Sequence, residues 1–177
     1  MPTKEEEWLA IANDFMTQWN FPNCLGAVDG KLVHIQRPIK CGAKYFNYKR
    51  SYSVNMMAVV DAHYNFLFVA VGAQGSANDA FVFNASSFGR SLDNINNPLS
   101  IPPSRKLPGT ECEIPMICVA DDAYPLKQYL MKPFNCRGMS PSERIYNYRL
   151  SRARRVVENA FGILVSRFCI LRGNMQL

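Results

Sequence analysis

Cys24-Leu-Gly-Ala-Val-Asp-Gly30 is a short apolar run that leads into an acidic residue, and Met116-Ile-Cys-Val-Ala-Asp121 repeats the pattern further along the chain. An acid at the end of a buried strand loses hydration, so it is tolerated when it is neutralised, paired, or bound to a cation. Glu158 lies on the flank of a predicted helix and supplies a third acid. Three converging acids repel one another unless a divalent cation lies between them, so the pattern points to a metal site.

The length and composition are those of one globular domain that spans residues 1–177. The chain has 177 residues, of which 48% are hydrophobic, and this is ordinary for a folded core. No apolar run approaches the ~20 residues needed to span a bilayer, and the polar start of the chain does not resemble a secretion signal. The formal net charge of +6 favours an anionic partner, of which nucleic acid is the commonest.

The first half of the chain predicts one helix, three strands and a second helix. Apolar residues recur at helical spacing within residues 1–20 and predict an N-terminal helix. Three strand-like runs follow, at Leu25–Ile35, Ser53–Val60 and Phe66–Val71. Asp61-Ala-His-Tyr-Asn65 is turn-like, so the second and third runs should form an antiparallel hairpin. A helix is predicted over Ser76–Leu92.

The second half predicts a loop, a buried strand and a long helix. Residues 93–113 are rich in Asn, Pro, Ser and Gly, and they are predicted to form a flexible loop. The apolar run Pro115–Ala120 predicts a central strand buried on both faces, Tyr124–Tyr129 a short helix, and Ser142–Phe168 an amphipathic helix. This order of elements predicts an α/β fold with an RNase H-like mixed sheet and flanking helices. A doubly wound nucleotide-binding fold fits poorly, because no Gly-rich turn leads from a strand into a helix.

Each of the three acids also has a structural alternative. Asp29 with the glycine after it is a common turn dipeptide, and Asp121 has the chemistry to cap a following helix. Glu158 is spaced to pair with Arg154 or Arg155 on the helix surface, which is worth only ~0.2–0.5 kcal/mol. The acids are far apart in the sequence, so spacing alone does not decide between these alternatives and a metal site.

Five short blocks occur in an order that resembles one known family. The blocks are Val28-Asp-Gly-Lys31, Tyr48-Lys-Arg-Ser-Tyr52, Gly75-Ser-Ala-Asn-Asp79, Asp121-Asp-Ala-Tyr-Pro-Leu126 and Arg154-Arg-Val-Val-Glu-Asn-Ala-Phe-Gly162. Together they resemble the PIF/Harbinger transposases and the transposase-derived nucleases called HARBI-type, which are DDE superfamily endonucleases. The resemblance runs from about Trp8 to Leu171. One block alone is a weak signal, whereas five blocks in register are specific.

The resemblance implies a DNA endonuclease with an RNase H-like fold, whose Asp, Asp, Glu triad holds two Mg²⁺ or Mn²⁺ ions. Carried over by motif, the catalytic and metal-binding residues are Asp29, Asp121 and Glu158. Asp121 matches better than Asp122, because the family's second Asp lies three residues before the Tyr of its block. Asp79 is expected either to orient the site or to cap a helix. Asp79 and Asp122 are therefore secondary candidates.

Two positions depart from the family pattern. Lys31 follows Asp-Gly where the family commonly has His or Thr, and Asp122 follows the second Asp where a small residue is usual. An extra acid competes for the metal or raises the pKa of its neighbour, but neither change removes a ligand. The alternative to an active nuclease is an inert, domesticated transposase domain that binds DNA or protein without cutting.

The chain is short for the family that it resembles. Full-length members carry an N-terminal helix-turn-helix-like region and further C-terminal helices, and we expect both to be absent here. In this family a separate Myb/SANT-like protein supplies DNA recognition. The resemblance therefore implies such a partner and a nuclear location, with a cytoplasmic location as the alternative when the partner is missing.

Two basic clusters are candidate DNA contacts, because Lys and Arg bind phosphates without reading the base sequence. The first cluster comprises Lys40, Lys44, Lys49 and Arg50. The second comprises Arg137, Arg144, Arg149, Arg152, Arg154 and Arg155, of which the last three are the predicted DNA contacts. A solvated charged face is the alternative for either cluster. The second cluster is the better candidate, because it surrounds the predicted metal ligand Glu158.

Overall fold

The computed structural model describes residues 1–39, 41–94 and 96–175. Its centre is a five-stranded sheet with helices on both faces. The described helices are α1 (Glu5–Trp19), α2 (Asp79–Ala85), α3 (Ser87–Leu92) and α4 (Pro141–Arg167), followed by a 3₁₀-helix (Cys169–Arg172). The described strands are β1 (Cys24–His34), β2 (Ser53–Val60), β3 (Phe66–Gln74), β4 (Arg105–Lys106), β5 (Glu113–Ile114), β6 (Ile117–Val119) and β7 (Leu130–Met131).

The strands of the main sheet lie in the order β3-β2-β1-β6-β7. Strand β2 is antiparallel to both β1 and β3, whereas β6 is parallel to both β1 and β7. The predicted hairpin is present as β2 and β3, and β6 is buried along its whole length, as its apolar sequence indicated. The predicted mixed α/β sheet of the RNase H-like type is therefore confirmed.

Alternate side chains of each strand point to opposite faces of the sheet, and this gives the domain two apolar cores. One core lies beneath α4 and includes Ala27 of β1 and Val156 of the helix. The other core packs Val28 of β1 with Trp8 of α1 and Phe83 of α2. No described helix is long and apolar enough to cross a bilayer.

A reciprocal cap fixes the start of α4. Ser140 Oγ accepts a hydrogen bond from the Glu143 amide at 3.3 Å, and the Ser140 amide donates to Glu143 Oε2 at 2.7 Å. Pro141 occupies the first turn, where its missing amide hydrogen is not needed. The helix agrees closely with the predicted Ser142–Phe168, and its apolar stripe faces the sheet as predicted.

Two predicted helices differ from the structure. The helix predicted over 76–92 is divided into α2 and α3 at Ser86, whose Oγ accepts a hydrogen bond from the Gly89 amide at 3.0 Å and caps α3. The short helix predicted over 124–129 is wrong, because that segment is irregular and leads into β7. A serine that caps a new helix accounts for the first difference, since its side chain competes with helix continuation.

The predicted loop 93–113 contains some regular structure among its described residues. Arg105 and Lys106 form β4, which pairs with β5. Leu99 is buried, and its carbonyl accepts a hydrogen bond from Trp8 Nε1 at 2.8 Å. A buried indole N–H requires an acceptor, so this contact ties the segment to the core. Ile95 lies outside the described residues.

Candidate functional site

Asp29 and Asp121 lie at equivalent positions, each two residues beyond a pair of residues that joins two neighbouring parallel strands. Ala27 of β1 pairs with Val119 of β6, and each aspartate lies two residues further along its chain. Strands in a sheet are about 4.8 Å apart, so the two acids come together at the end of β6. Ala27 and Val119 both face the core beneath α4, and the period of two residues directs Asp29 to that face as well.

Burial raises the pKa of the Asp29 carboxyl to about 6. A hydrogen bond from the Gly30 amide to Asp29 Oδ1, at 2.9 Å, acts in the opposite direction, as does the nearby charge of Arg154. The carboxylates of Asp121 and Asp79 raise the pKa further. The protein therefore compensates the ionised Asp29 only in part, which is the condition in which an added cation binds favourably.

Asp121 has a similar but more open environment. Burial raises the pKa of its carboxyl, whereas a 3.0 Å hydrogen bond from the Ala123 amide and the charge of Arg154 lower it. Asp79 and Asp122 add repulsion that raises the pKa again. The Asp122 side chain is exposed next to this pair, so it lies at the rim of the acidic site.

Asp79 lies on the other side of β1, directly against Gly30. A Cβ atom at position 30 would lie 2.2 Å from Asp79 Oδ1, so any other residue there would force the Asp79 carboxylate to shift. The same carboxylate oxygen accepts a hydrogen bond from Asn55 Nδ2 at 2.9 Å. The cap of α2 is Asn78, whose Oδ1 accepts from the Phe81 amide. Of the two roles expected for Asp79, capping is therefore performed by its neighbour.

Glu158 is engaged by Arg154, one helical turn earlier. The side chain of Glu158 is 52% exposed, and its Oε1 accepts a hydrogen bond from Arg154 Nη2 at 2.9 Å. This is the ion pair that the sequence allowed as an alternative. Within residues 1–39, 41–94 and 96–175, no three Asp, Glu, His or Cys side chains are grouped so as to hold one metal ion. The role of Glu158 as a ligand stays a prediction.

Three buried polar atoms around these acids have no hydrogen-bond partner among the described residues: Asn55 Oδ1, the Tyr124 hydroxyl and Arg154 Nε. Buried polar atoms without partners are uncommon in native structures and require an explanation. The pKa of Tyr124 is raised by burial and then by the charges of Asp79 and the two strand-end aspartates, so its hydroxyl is close to all of them. The unpaired atoms and the acids together make this part of the molecule the candidate functional site.

The sequence-based interpretation missed Asn55 and Tyr124 as members of this site. Asn55 interrupts the otherwise apolar run 53–60, and a polar residue in a buried strand is an informative signal. Tyr124 lies inside the block Asp121-Asp-Ala-Tyr-Pro-Leu126 that supported the family resemblance. Both residues could have been selected from these signals, but the hydrogen bond from Asn55 to Asp79 and the burial of Tyr124 beside the acids depend on the tertiary fold and have no local signature.

The loop between β1 and β2 is built around the buried side chain of Asn47. Asn47 Oδ1 accepts hydrogen bonds from the amides of Lys49 and Ser51 at 2.9 and 3.1 Å, and Nδ2 donates to Ser53 Oγ at 2.8 Å. This network holds an exposed tip on which Tyr48 is 83% exposed. The predicted basic residues on the exposed side of the loop are Lys44, Lys49 and Arg50. Lys40 lies outside the described residues.

The three arginines predicted as DNA contacts on α4 have different surroundings. The Arg152 guanidinium lies 5.9 Å from the centre of the Tyr148 ring, and Arg155 is exposed. The Arg154 side chain is only 19% exposed and is held by Glu158. Arg152 and Arg155 are therefore free to face an external partner, whereas Arg154 belongs to the acidic site.

A cavity of about 880 Å³ lies away from the acids, between β7 and the start of α4. Its walls are mainly apolar and include Leu126, Met131, Phe134 and Tyr146, and none of the predicted acids lines it. Ligand pockets are often the largest apolar concavities. Here the charged groups and the unpaired polar atoms lie around Asp29 in β1 and Asp121 beyond β6, and not in this cavity. We therefore place the candidate site at the acids.

The chain belongs to the family described as DDE superfamily endonuclease, whose sequence model matches residues 28–177. The matched range contains Asp29, Asp79, Asp121 and Glu158. The resemblance that the five sequence blocks indicated, to Harbinger-derived transposases and nucleases, is confirmed. The fold and the family therefore agree.

Two groups of relatives carry informative names. The chain is 29% identical over 186 residues to "Protein ALP1-like" of Arabidopsis thaliana, and this alignment covers 99% of this chain and 42% of that protein. It is 27% identical over 173 residues to "Putative nuclease HARBI1" of Bos taurus, and this alignment covers 98% of this chain and 45% of that protein. The Homo sapiens protein of the same name is 26% identical. The chain thus spans less than half the length of these relatives. No solved structure matches it.

Proposed function

We propose that this chain is a DNA endonuclease domain of transposase origin that hydrolyses phosphodiester bonds with two divalent cations. The observation that carries the proposal is the placement of Asp29 and Asp121 side by side, both with a raised pKa. Adjacent carboxylates that are costly to ionise gain most from a bound cation. Membership of the DDE endonuclease family and similarity to a protein named as a nuclease support the activity.

The side chains fit Mg²⁺ or Mn²⁺, which prefer carboxylate oxygens. Asp29 and Asp121 would hold the ions, and Glu158 would join them when its carboxylate leaves Arg154. Asp79 packs against the opposite side of β1 and keeps the strand in place through its contact with Gly30. When bound, the ions would supply an activated water nucleophile and neutralise charge on the leaving oxygen.

The protein's own residues supply position and charge for the reaction. Asp29 is held in place by β1, which pairs with β2 through Asp29 itself and with β6 up to Ala27, two residues before it. Arg152, Arg155 and the basic loop between β1 and β2 would bind phosphates and orient the duplex without reading its sequence. Water forms a new bond to phosphorus, the bond to the leaving sugar oxygen breaks, and the proton passes to that oxygen through solvent.

The basic loop yields a prediction about DNA binding. We expect the double substitution Lys49→Ala with Arg50→Ala to weaken duplex binding and to reduce the slope of log K against log salt by about two, because each side chain neutralises one phosphate. Both side chains are exposed on the loop that Asn47 holds together. Fluorescence anisotropy with labelled duplex in EDTA, over a range of NaCl concentrations, measures the slope without cleavage.

The matched control is Arg105→Ala with Lys106→Ala, which removes the same charge from the exposed strand β4. Lys106 is already paired with Glu111, and neither residue is a predicted DNA contact. The control should leave the slope close to that of the unsubstituted protein. Equal slopes in the two double variants would show that the loop is only a solvated charged surface.

A specific observation favours a second candidate function. Glu158 is exposed and paired with Arg154, and no described group of three acids is assembled for a metal. This arrangement suits an inert, domesticated domain that binds DNA or protein without cutting. Such a domain keeps the basic surfaces and the fold but has no use for the buried acids.

We also propose that the chain acts in the nucleus together with a separate Myb/SANT-like DNA-binding protein, with a cytoplasmic location in the absence of that partner. The support is the family membership. The described basic surfaces bind phosphates but carry no evident element for reading bases. Target selection would then come from the partner.

A plasmid-nicking assay separates the two candidates. The unsubstituted chain is expected to convert supercoiled plasmid to the open-circular form in Mn²⁺, and EDTA should stop the reaction. Asp121→Asn should bind DNA as tightly as the unsubstituted chain in EDTA but should not nick. DNA binding without nicking in the unsubstituted chain, at any Mn²⁺ or Mg²⁺ concentration, supports the inert domain instead.

A further inference from the structure

Arg154 pairs with Glu158 and lies on the turn of α4 that packs over β1 and β6. The residue before it, Ala153, is buried in the same core cluster as Ala27 and Val119, each of which lies two residues before an aspartate of the predicted triad. Arg154 bonds directly to Glu158 through Nη2, at 2.9 Å, and its charge lowers the pKa of both Asp29 and Asp121. Only 19% of its side chain is exposed. A guanidinium in this environment is screened by water less than an exposed one, but it offsets only part of the effect of burial, because the pKa of Asp29 and that of Asp121 both remain raised.

The neighbouring residue shows how specific this position is. Arg155 carries the same charge on the same helix but is exposed, because α4 turns by about 100° per residue. Ala153 and Val156, which flank the two arginines, are buried beneath the helix. The apolar stripe therefore holds Arg154 at the edge of the sheet and directs Arg155 to solvent.

We propose that Arg154 is the built-in counterion of the acidic site, and that a divalent cation and this guanidinium compete for the same carboxylates. In the metal-free protein, Arg154 compensates Asp29 and Asp121 and keeps Glu158 turned away from them. A divalent ion held by the aspartates would repel the guanidinium, and Glu158 would then be free to leave Arg154. The inference rests on the proposed function, because it assumes that the aspartates are metal ligands.

Two features of the ion pair between Arg154 and Glu158 favour its opening in the metal-free protein. The Arg154 Nε is buried and has no acceptor among the described residues, and an unsatisfied buried donor is unfavourable. Glu158 is 52% exposed, so water can solvate its carboxylate as soon as the ion pair opens. Both features lower the free energy needed to break the pair. Arg154 is therefore a positioning residue that regulates access to the acids.

Mn²⁺ binding without DNA tests the proposal directly. Arg154→Met keeps the length of the side chain and removes its charge, and Arg155→Met is the matched control with the same change in net charge. We expect Arg154→Met to bind Mn²⁺ about tenfold more tightly than Arg155→Met, because the repulsion at short range is removed. Electron paramagnetic resonance of free Mn²⁺ gives the binding constant, and no catalytic activity is needed.

Two further measurements separate competition from a purely structural role. In EDTA at pH 8, the melting temperature of Arg154→Met should fall below that of Arg155→Met, because the buried carboxylates lose their counterion. Arg154→Lys keeps a cation near the acids, so it should restore Mn²⁺ affinity and the metal-free melting temperature towards those of the unsubstituted chain.

Three other outcomes would contradict the proposed competition between Arg154 and the cation. Weaker Mn²⁺ binding by Arg154→Met would show that Arg154 positions Glu158 for the metal, and equal binding by the two Met variants would show that only net charge matters. Either result overturns the inference while the metal site stands. If neither the unsubstituted chain nor any variant binds Mn²⁺, the proposed function fails as well, and the two failures are thereby distinguished.

Discussion

Asp29→Asn is expected to reduce plasmid nicking by about 10³-fold and to stabilise the metal-free protein by about 3 kcal/mol at pH 8. The loss of activity follows because the amide lacks the negative charge that would hold a cation. The gain in stability follows because the carboxylate is costly to ionise in the fold. Opposite effects on activity and stability identify a residue that is kept for function.

The pH dependence follows from the direction of the pKa shift. Burial raises the pKa of Asp29 from 3.8 to about 6 in the folded chain. Below pH 3.8 the carboxyl is protonated in both the folded and the unfolded chain, so it does not change the free energy of unfolding. Above pH 6 it is ionised in both, and the folded chain carries the full destabilisation. The advantage of Asp29→Asn should therefore appear between pH 4 and 6 and level off above.

Thermal melts in EDTA at pH 4, 6 and 8 measure this difference. The substituted amide oxygen can still accept the hydrogen bond from the Gly30 amide, so the backbone is undisturbed. Asp122→Asn is the control, because it removes a neighbouring exposed carboxylate and should change the melting temperature little. Adding Mn²⁺ should raise the melting temperature of the unsubstituted chain but not that of Asp29→Asn. A metal-free Asp29→Asn protein that melts below the unsubstituted chain at pH 8 would contradict the assigned environment.

Elements with a clear period were predictable from the sequence. Helices α1 and α4 have apolar residues at helical spacing, and β2 and β3 are separated by a short turn. Strand β7 was missed, because Leu130–Met131 is too short to display a period of its own. It exists because β6 offers it a hydrogen-bonding edge. A two-residue strand of this kind is determined by its neighbour and not by its own sequence.

The candidate site was predictable to a different degree for each acid. Asp29 and Asp121 end apolar runs, and the parallel pairing of β1 and β6 makes the ends of these two runs neighbours. Their role as metal ligands stays a prediction. Glu158 was open to two readings, as a metal ligand or as the partner of a nearby arginine. The ion pair with Arg154 depends only on local helix geometry, whereas convergence with the aspartates depends on tertiary packing and on a cation. Sequence alone cannot weigh these two contributions.

The partner of Asp79 could not be predicted, because it lies 49 residues earlier in the chain. Gly30 was noted only as part of an Asp-Gly pair, for which a turn was the structural alternative. In the structure Gly30 lies inside β1, and its missing side chain is the space that the Asp79 carboxylate occupies. Glycine within a strand often marks the close approach of another group. That signal was present, but the group that approaches was not identifiable.

Gly30→Ala is therefore expected to destabilise the chain by about 2–4 kcal/mol. The added Cβ would lie 2.2 Å from Asp79 Oδ1 and 2.6 Å from its Cγ, so the carboxylate must move. Moving it breaks the 2.9 Å hydrogen bond from Asn55 Nδ2, and Asn55 is buried. An unsatisfied buried amide adds its own penalty to the steric one. Urea unfolding at pH 7 in EDTA measures the free energy of unfolding.

Gly162→Ala is the matched control, because it makes the same chemical change where nothing lies within 4 Å of the new Cβ. Gly162 is inside α4, where alanine is favoured over glycine by about 0.5–1 kcal/mol, so this variant should be more stable than the unsubstituted chain. The two glycine substitutions should thus have opposite signs. If Gly30→Ala proved as stable as Gly162→Ala, the carboxylate of Asp79 would have to lie elsewhere, and its role in supporting β1 beneath Asp29 would be lost with it.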